Sequence, residues 1–190
     1  MTEPTLTSGH TLNPDSAAFS EAHTIWNARL QKRPDTIAQC STVQDVVDAV
    51  RFARSNGTRL SVKAGGHSYA GTSVNDGGLL VDLAQMRSVF IDPTHRTATI
   101  EPGVTGEMLD TAAQRHGLAT PTPTVSSVGV IGAALGGGGG YLTRKYGLTL
   151  DTLISAEIVT ADGGLLNVSR HSYPDLFWAL RGGGGNFGIV

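Results

Sequence analysis

Glycine is concentrated in three short stretches of this chain rather than spread along it. The stretches lie at residues 65–66, 129–140 and 182–188, and ordinary core-forming segments separate them. With 25 glycines in 190 residues, the chain holds about twice the usual share. Glycine loses more backbone freedom on folding than any other residue, so such clusters need a structural or functional reason. The distribution predicts a folded protein with three specialised backbone loops, not a flexible linker.

The first stretch lies within residues 62–72, VKAGGHSYAGT, where one histidine, His67, follows a glycine pair. Two interpretations are open at this point. One is a tight surface turn with an exposed histidine. The other is a backbone that closes around a ligand, with the imidazole directed at it.

The composition excludes several classes of partner. A chain of 190 residues, 39% of them hydrophobic, is long enough for one packed domain. Its formal charge of −2 gives no basic surface for nucleic acid, and no apolar run reaches the roughly 18 residues that a membrane span needs. The N-terminus shows no secretory signal, and the single Cys40 excludes an internal disulfide and is predicted to be a buried strand residue. We therefore expect a cytoplasmic protein with no nucleic-acid or membrane partner.

Hydrophobic periodicity predicts an α+β fold. Residues 1–18 have no clear period and are interpreted as an arm, within an N-terminal segment of residues 1–25. Residues 43–56 have helical period, with Ser41 or Thr42 as N-cap and Gly57 as the stop. Further helices are predicted at 19–30, 105–116 and 173–180, and strands at 35–40, 60–64, 78–83, 89–91, 98–101, 154–160 and 164–168. Residues 119–147 show neither period.

Common nucleotide and metal motifs do not account for the glycines. A Walker loop ends in Gly-Lys-Ser/Thr, but Lys145 is preceded by Arg144 and followed by Tyr146. A dinucleotide fingerprint follows a strand, whereas residues 136–140 follow a proline- and serine-rich stretch, although Glu157 lies at the right distance. The histidines show no metal-ligand spacing, so no metal site is expected. A Ser-His-Asp triad stays open, but no G-x-S-x-G elbow is present.

Two of the loops are long enough to present backbone N–H groups with few side chains in the way. Such backbone concavities bind phosphate anions without Lys or Arg. Ser68, Thr72, Ser126 and Ser127 add hydroxyl donors. A cofactor with a pyrophosphate group would fit between the loops.

Six blocks in fixed order carry a resemblance to a known family. They are AGGHS at 64–68, GLLVDL at 78–83, HGLAT at 116–120, VSSVGVIGAALGGGGGYLTRKYGL at 125–148, DTLISAEIVTADG at 151–163 and LFWALRGGGGNFGIV at 176–190. Together they resemble the PCMH-type FAD-binding domain of the vanillyl-alcohol oxidase/p-cresol methylhydroxylase superfamily. Within it, the chain is most similar to the berberine-bridge-enzyme-like and 6-hydroxy-D-nicotine oxidase group. The similarity covers residues 26–190, which are therefore expected to be the FAD-binding domain.

The resemblance implies roles for specific residues. In the family, the loop that matches residues 63–72 wraps the FAD pyrophosphate, and the histidine that matches His67 is bonded to the 8α-methyl group of the flavin. A neutral imidazole is a suitable nucleophile near pH 7. The implied FAD-binding residues are Lys63, Ala64, Gly65, Gly66, His67, Ser68, Tyr69, Gly71 and Thr72, followed by Val125, Ser126, Gly129, Val130, Gly132, Gly136, Gly137, Gly138, Ile189 and Val190.

Two departures from the family pattern bear on the flavin link. Many relatives add a second tether through a cysteine, and Val125 occupies that position here. Ala133 occupies the position of a histidine that some relatives place near the flavin pyrimidine. A single covalent link is therefore expected, as in the bacterial group. Arg144, Lys145 and Tyr146 are also characteristic of the family and are interpreted as a structural turn, with Arg144 paired to an acid.

The resemblance implies an FAD-dependent oxidoreductase that transfers hydride from a small organic substrate to a tethered flavin, with O₂ as acceptor. In the family a second domain supplies most substrate contacts and the catalytic base, so no catalytic residue is assigned and the chain is expected to be truncated and inactive by itself. Tyr69 and Tyr141 are the only residues proposed as active-site wall. The alternative is a non-catalytic fragment of such an enzyme.

Overall fold

The computed structural model describes residues 3–190, which fall into two compact units. The first unit contains the chain up to Met86, residues 159–165 and Ile189. The second unit contains residues 87–158 and 166–188 and Val190. Helices and strands occur together in the chain, so the predicted α+β class is confirmed.

The first unit is built on a four-stranded sheet. Its strands are β1 (His10–Leu12), β2 (Thr36–Gln39), β3 (Leu60–Lys63) and β4 (Leu79–Asp82), in the order β1-β2-β4-β3. β1 is antiparallel to β2, while β2 and β3 both run parallel to β4. All four residues of β4 are buried, as expected for a central strand covered on both faces.

Two apolar clusters cover the two faces of this sheet. Helix α2 (Val43–Asn56) packs Val46, Val47 and Val50 against Leu79 and Val81. The other face carries Ile37 and Leu80, which pack with the short helix α1 (Phe19–Ala22). Along β4, Leu79 and Val81 therefore point to one face of the sheet and Leu80 points to the other, as the two-residue period of a strand requires.

Helix α2 begins and ends where the sequence predicts. Thr42 is its N-cap and forms a capping box with Asp45, and Gly57 ends the helix in the left-handed conformation at φ 62°. The capping box satisfies two backbone amides that the first turn would otherwise leave unpaired.

The segment of residues 87–190 contains two strand pairs and four helices. β5 (Val89–Asp92) and β6 (Thr97–Ile100) form the predicted antiparallel hairpin, and β7 (Ser155–Val159) pairs with β8 (Leu165–Ser169). The helices are α3 (Gly106–Gln114), α4 (Val130–Gly136), α5 (Thr143–Tyr146) and α6 (Pro174–Gly183), with short 3₁₀ turns at Thr149–Thr152 and Gly184–Asn186. One cluster around Val104, Leu109 and Val130 and another around Ile158, Phe177 and Leu180 form its interior.

Three predictions of secondary structure differ from the fold. Residues 1–18 are not only an arm, because β1 joins the sheet. The helix predicted over residues 19–30 spans only Phe19–Ala22. Residues 119–147, predicted to lack regular structure, contain α4 and α5.

Candidate functional site

Residues 63–72 begin at the carboxyl end of β3 and form the first part of the connection to β4, which starts at Leu79. This is the edge of a parallel sheet at which ligands bind in open α/β folds. Gln39, Asp82 and Lys63 end the three parallel strands in one register row. The Lys63 Nζ atom lies 3.6 Å from Asp82 Oδ1 and donates to the Ala22 carbonyl at 2.7 Å. The side chain that opens the loop is therefore anchored inside the protein.

The carbonyl groups of this loop are held by a segment that precedes it by about 40 residues. The Trp26 amide donates to the Gly66 carbonyl at 3.0 Å, and Asn27 Nδ2 donates to the Tyr69 carbonyl at 3.0 Å. Lys32 Nζ donates to the Gly71 carbonyl at 2.7 Å. These three donors, all within residues 26–32, hold the loop by its carbonyl groups and use none of its amides.

The amides of the same loop are largely unpaired. Within residues 3–190, no acceptor is found for the amides of Gly65, Gly66, Ser68, Tyr69 and Ala70. Buried amide groups in folded proteins are nearly always paired with protein, water or ligand, and Gly66 is buried while Gly65 and Ser68 are half-buried, so these three amides in particular need a partner. Successive backbone N–H groups in such a turn form a site suited to an anion.

Gly66 and Gly71 are required by the shape of the loop. Both have left-handed backbone conformations, at φ 68° and φ 66°. A Cβ atom at Gly71 would also overlap the Leu30 side chain. The second glycine of the AGGHS block therefore sets the direction of the chain immediately before His67.

His67 is half-buried within the loop. Its ring stacks against Trp26, with ring centroids 5.7 Å apart and an angle of 23° between the planes. Burial lowers the pKa of the His67 imidazole below its ordinary value, so the ring is neutral at pH 7. A neutral imidazole retains a nitrogen lone pair and can act as a nucleophile or a hydrogen-bond acceptor.

Two of the four hydroxyl groups predicted as donors, those of Ser68 and Thr72, are used inside the loop. Ser68 Oγ lies 3.0 Å from Thr72 Oγ1 and accepts a hydrogen bond from the Thr72 amide at 3.2 Å. Tyr69 follows with 79% of its side chain exposed. Ser68 and Thr72 therefore close the turn around His67.

The second predicted segment, residues 125–140, lies in the second unit. The chain before α4 pairs with the chain before α3: the Gly106 amide donates to the Val128 carbonyl, and the Val130 amide donates to the Val104 carbonyl. A bridge between Thr105 and Gly129 completes this pairing. The sequence does not reveal this pairing because the two paired segments are too short to show a period of two.

At two positions of α4, no packing contact in the described chain explains why the residue is glycine. Gly132 and Gly136 are exposed on one face of the helix, and a Cβ atom at either would meet nothing within 4 Å. Glycine inside a helix costs about 1 kcal/mol relative to alanine. Gly138 differs, because its φ is 75° and a Cβ atom there would overlap Thr149. The bare surface at Gly132 and Gly136 is the kind of surface on which a flat ligand could lie.

The remaining predicted residues are spread over both units. Ile189 exchanges two backbone hydrogen bonds with Val159, at 2.8 and 2.9 Å, and Val190 packs in the cluster of Phe177. Tyr141 is 89% exposed. The prediction that Arg144 pairs with an acid is wrong for residues 3–190, where this exposed side chain has no ion pair.

Arg181 has the structural role that was expected of Arg144. Its Nη2 atom lies 3.5 Å from Asp151 Oδ1, and its Nε atom donates to the Leu150 carbonyl at 3.1 Å. No group of three or more potential metal ligands occurs among residues 3–190. In the same range, no helix has the length and apolarity needed to cross a bilayer.

Comparison with known proteins identifies the same cofactor. The sequence profile of the FAD binding domain family matches residues 34–169. The (R)-6-hydroxynicotine oxidase of Paenarthrobacter nicotinovorans is 42% identical over 190 residues, which are 100% of this chain and 42% of the relative. This chain therefore spans less than half the length of that curated relative.

Solved structures match the fold closely. The crystal structure of 6-hydroxy-D-nicotine oxidase from Arthrobacter nicotinovorans superposes with a TM-score of 0.94 at 43% identity, over 96% of this chain and 40% of that one. Glucooligosaccharide oxidase from Acremonium strictum superposes with a TM-score of 0.90 at 38% identity, over 96% and 39% of the two chains. The latter protein is described with a 6-S-cysteinyl, 8α-N1-histidyl FAD.

Proposed function

This chain belongs to the FAD binding domain family, and from that premise we propose that it is the FAD-binding portion of an FAD-dependent oxidoreductase. The whole protein oxidises a small organic substrate by hydride transfer to a flavin held through His67, with O₂ as the electron acceptor. The relatives named above are oxidases of a hydroxynicotine and of oligosaccharides, which supports a C–H bond beside nitrogen or oxygen as the point of oxidation. No residue of the chain is assigned as catalytic base.

The observation that carries the proposal is the loop of residues 63–72. Five of its amides have no acceptor in the described chain, while three of its carbonyls are bonded to residues 26–32. Backbone donors of this kind suit the pyrophosphate of FAD without any arginine or lysine contact. Lys63 supports the loop from within, through Asp82 and the Ala22 carbonyl.

His67 is the residue proposed to carry the covalent link. Its lowered pKa keeps the imidazole neutral, which is the form that attacks carbon. The link would replace one C–H bond of the 8α-methyl group and the imidazole N–H bond by one N–C bond. The two hydrogens and the electron pair would pass to dioxygen to give hydrogen peroxide, so the exchange would balance with the same acceptor that serves turnover.

The second unit is proposed to contribute through residues 125–140. The empty space beside Gly132 and Gly136 would accept the cofactor, and a methyl group at either position would occupy that space. FAD, once bound, supplies the two-electron acceptor that the amino acids of the chain lack. The chain's own residues bind and orient it.

The tether is tested by acid precipitation of the full-length protein. A covalent flavin stays with the precipitated polypeptide, so the wild-type pellet should be yellow and fluorescent. His67→Ala should still bind FAD but release it on precipitation, whereas His171→Ala, which removes an exposed histidine of the second unit, should behave as wild type. A colourless wild-type pellet from protein that was yellow when folded would contradict the role of His67.

Turnover distinguishes the enzyme from a non-catalytic fragment. In full-length protein, the absorbance of the oxidised flavin should disappear when an oxidisable substrate is added without oxygen. Readmission of O₂ should restore the colour. Failure of every amine, alcohol and sugar tested to bleach a bound flavin would favour the non-catalytic alternative.

A further inference from the structure

Trp26 is a large apolar side chain that the first unit does not bury. Its surface is 57% exposed, and it belongs to neither apolar cluster of that unit. The indole instead stacks against the His67 ring. It also makes an edge contact with the Tyr69 ring, at a centroid distance of 5.4 Å and an angle of 65°. Its contacts are therefore with the loop of residues 63–72, not with the core.

The backbone holds the two rings together. The Trp26 amide donates to the carbonyl of Gly66, the residue just before His67. Asn27 then donates from its side chain to the Tyr69 carbonyl, two residues after His67. The neighbours of Trp26 are anchored too, because Ile25 is buried in the cluster of Phe19 and Leu80 and Leu30 packs against it. The indole is thus fixed relative to the imidazole from both sides of the loop.

A stacked indole restricts the imidazole in one particular way. In this offset stack it lies over part of one ring face, and so opposes rotation about the Cβ–Cγ bond of His67. The ring nitrogens carry their lone pair or hydrogen in the ring plane, at the edge, so the stack does not cover them. The stack therefore restricts the direction of the ring nitrogens and does not itself cover them.

We infer that Trp26 is a positioning residue for the flavin tether: its indole holds the His67 imidazole in the plane from which the nitrogen bonds to the 8α-methyl group of FAD. This inference rests on the proposed link through His67. Orientation of this kind accelerates bond formation because the reacting atoms spend more time in the productive geometry. The affinity for FAD is expected to come from the loop amides, not from this orientation.

The test separates binding from attachment. Full-length apoprotein is mixed with FAD, the dissociation constant is measured by flavin fluorescence, and the attachment rate is measured from the flavin retained in acid-precipitated samples. Trp26→Ala should lower the attachment rate constant at saturating FAD by roughly three- to tenfold, the effect of one aromatic stack, with little change in the dissociation constant. Trp26→Phe should recover most of the rate.

Two controls keep the inference falsifiable. Trp178→Ala removes a tryptophan that is 76% exposed on α6 and should attach FAD as wild type does. Trp26→Leu retains apolar volume without an aromatic face and should be slow, as Trp26→Ala is. NMR of the apoprotein supplies a readout without flavin: the His67 ring protons should lose an upfield ring-current shift in Trp26→Ala and keep it in Trp26→Phe.

The outcomes are distinct. If Trp26→Ala and Trp26→Leu attach FAD at the wild-type rate, the positioning role is wrong while the tether stands. If the wild type retains no flavin after precipitation, the proposed tether fails and the inference fails with it. A loss of FAD affinity equal to the loss of rate would show that Trp26 only supports the fold of the loop.

Discussion

His67 and Cys40 differ as nucleophiles because of their surroundings. His67 is half-buried in a loop, and its imidazole is neutral. Cys40 follows β2 and is fully buried, and burial, together with Asp45, Asp82 and Asp48, raises the pKa of its thiol to about 12. Because the thiolate is the reactive form of cysteine, Cys40 is inert. The only thiol of the chain is therefore unsuited to a second flavin link.

Native protein should label at Cys40 far more slowly than unfolded protein. The rise in pKa of about three units lowers the thiolate fraction by roughly a thousandfold at a given pH, and burial restricts access further. The measurement is the rate of reaction with a chromogenic disulfide reagent at pH 8, with and without denaturing urea. Comparable rates in the two solvents would show that Cys40 is accessible in the native protein.

The sequence pointed to His67 but not to the residues that hold its loop. The AGGHS block is a local pattern, because its glycines and its histidine are adjacent in the sequence and can be recognised together. Trp26, Asn27 and Lys32 act on the loop from about 40 residues away, through contacts that only the tertiary fold creates. Helical periodicity placed Trp26 on a helix, because the end of α1 at Ala22 has no strong stop signal.

At the scale of the element, helix α2 depends on one buried carboxylate. Asp45 accepts hydrogen bonds from the amides of Ser8, Ser41 and Thr42 and from the Thr42 hydroxyl, at 2.8 to 3.0 Å. Burial alone would raise the pKa of Asp45, but these hydrogen bonds outweigh it and lower the pKa to about 2. The carboxylate joins the N-terminal segment to the first turn of α2.

Asp45→Asn should destabilise the protein in a pH-dependent way. Since the folded-state pKa lies below the unfolded value, the stabilisation is present above about pH 4 and is lost as the pH falls toward 2. The loss in free energy of unfolding should be about 2 kcal/mol at pH 7 and smaller at pH 3. Urea unfolding at both pH values measures it, with the exposed Asp15→Asn as control. A deficit that did not shrink at pH 3 would contradict the assigned role.

Helix α4 is one of the elements that the sequence did not predict, and its glycines are the reason. Helix α2 and the β5–β6 hairpin have caps, periodicity or turn residues that agree with their structure. In α4, Gly132 and Gly136 lower the intrinsic helix propensity, and the helix forms through the packing of Val130 and Ala134. The local preference and the structure disagree at the residues proposed to face a ligand.

Gly132→Ala should change stability and FAD binding in opposite directions. Its φ is not left-handed and the added methyl group meets nothing within 4 Å, so the apoprotein should gain up to about 1 kcal/mol. The same methyl group should weaken FAD binding in the full-length protein. Gly117→Ala is the control, because its φ of 65° makes alanine unfavourable in a turn with no proposed ligand. Weaker stability together with unchanged FAD affinity would contradict the interpretation of α4.

On the scale of the whole chain, the lack of any cysteine other than Cys40 in residues 1–190 predicts one flavin link within them. Trypsin should release a single flavopeptide, residues 64–87, which contains His67 and begins after Lys63. The peptide of residues 116–144, which contains Val125, should carry no flavin. Mass spectrometry of the yellow fractions identifies the peptide. Flavin on the peptide that contains Cys40 would overturn both the single link and the inertness of that thiol.

β4 lies between β2 and β3 in the sheet, although it follows both in the chain and is synthesised after them. Until residues 79–82 emerge and insert, β2 and β3 each have an open apolar edge of the kind that chaperones bind and that aggregates recruit. Insertion requires the preceding 15 residues, 64–78, to turn back across the end of the sheet. The segment of residues 64–78 must therefore turn back before β4 can pair, so completion of the sheet and formation of the loop around His67 depend on each other.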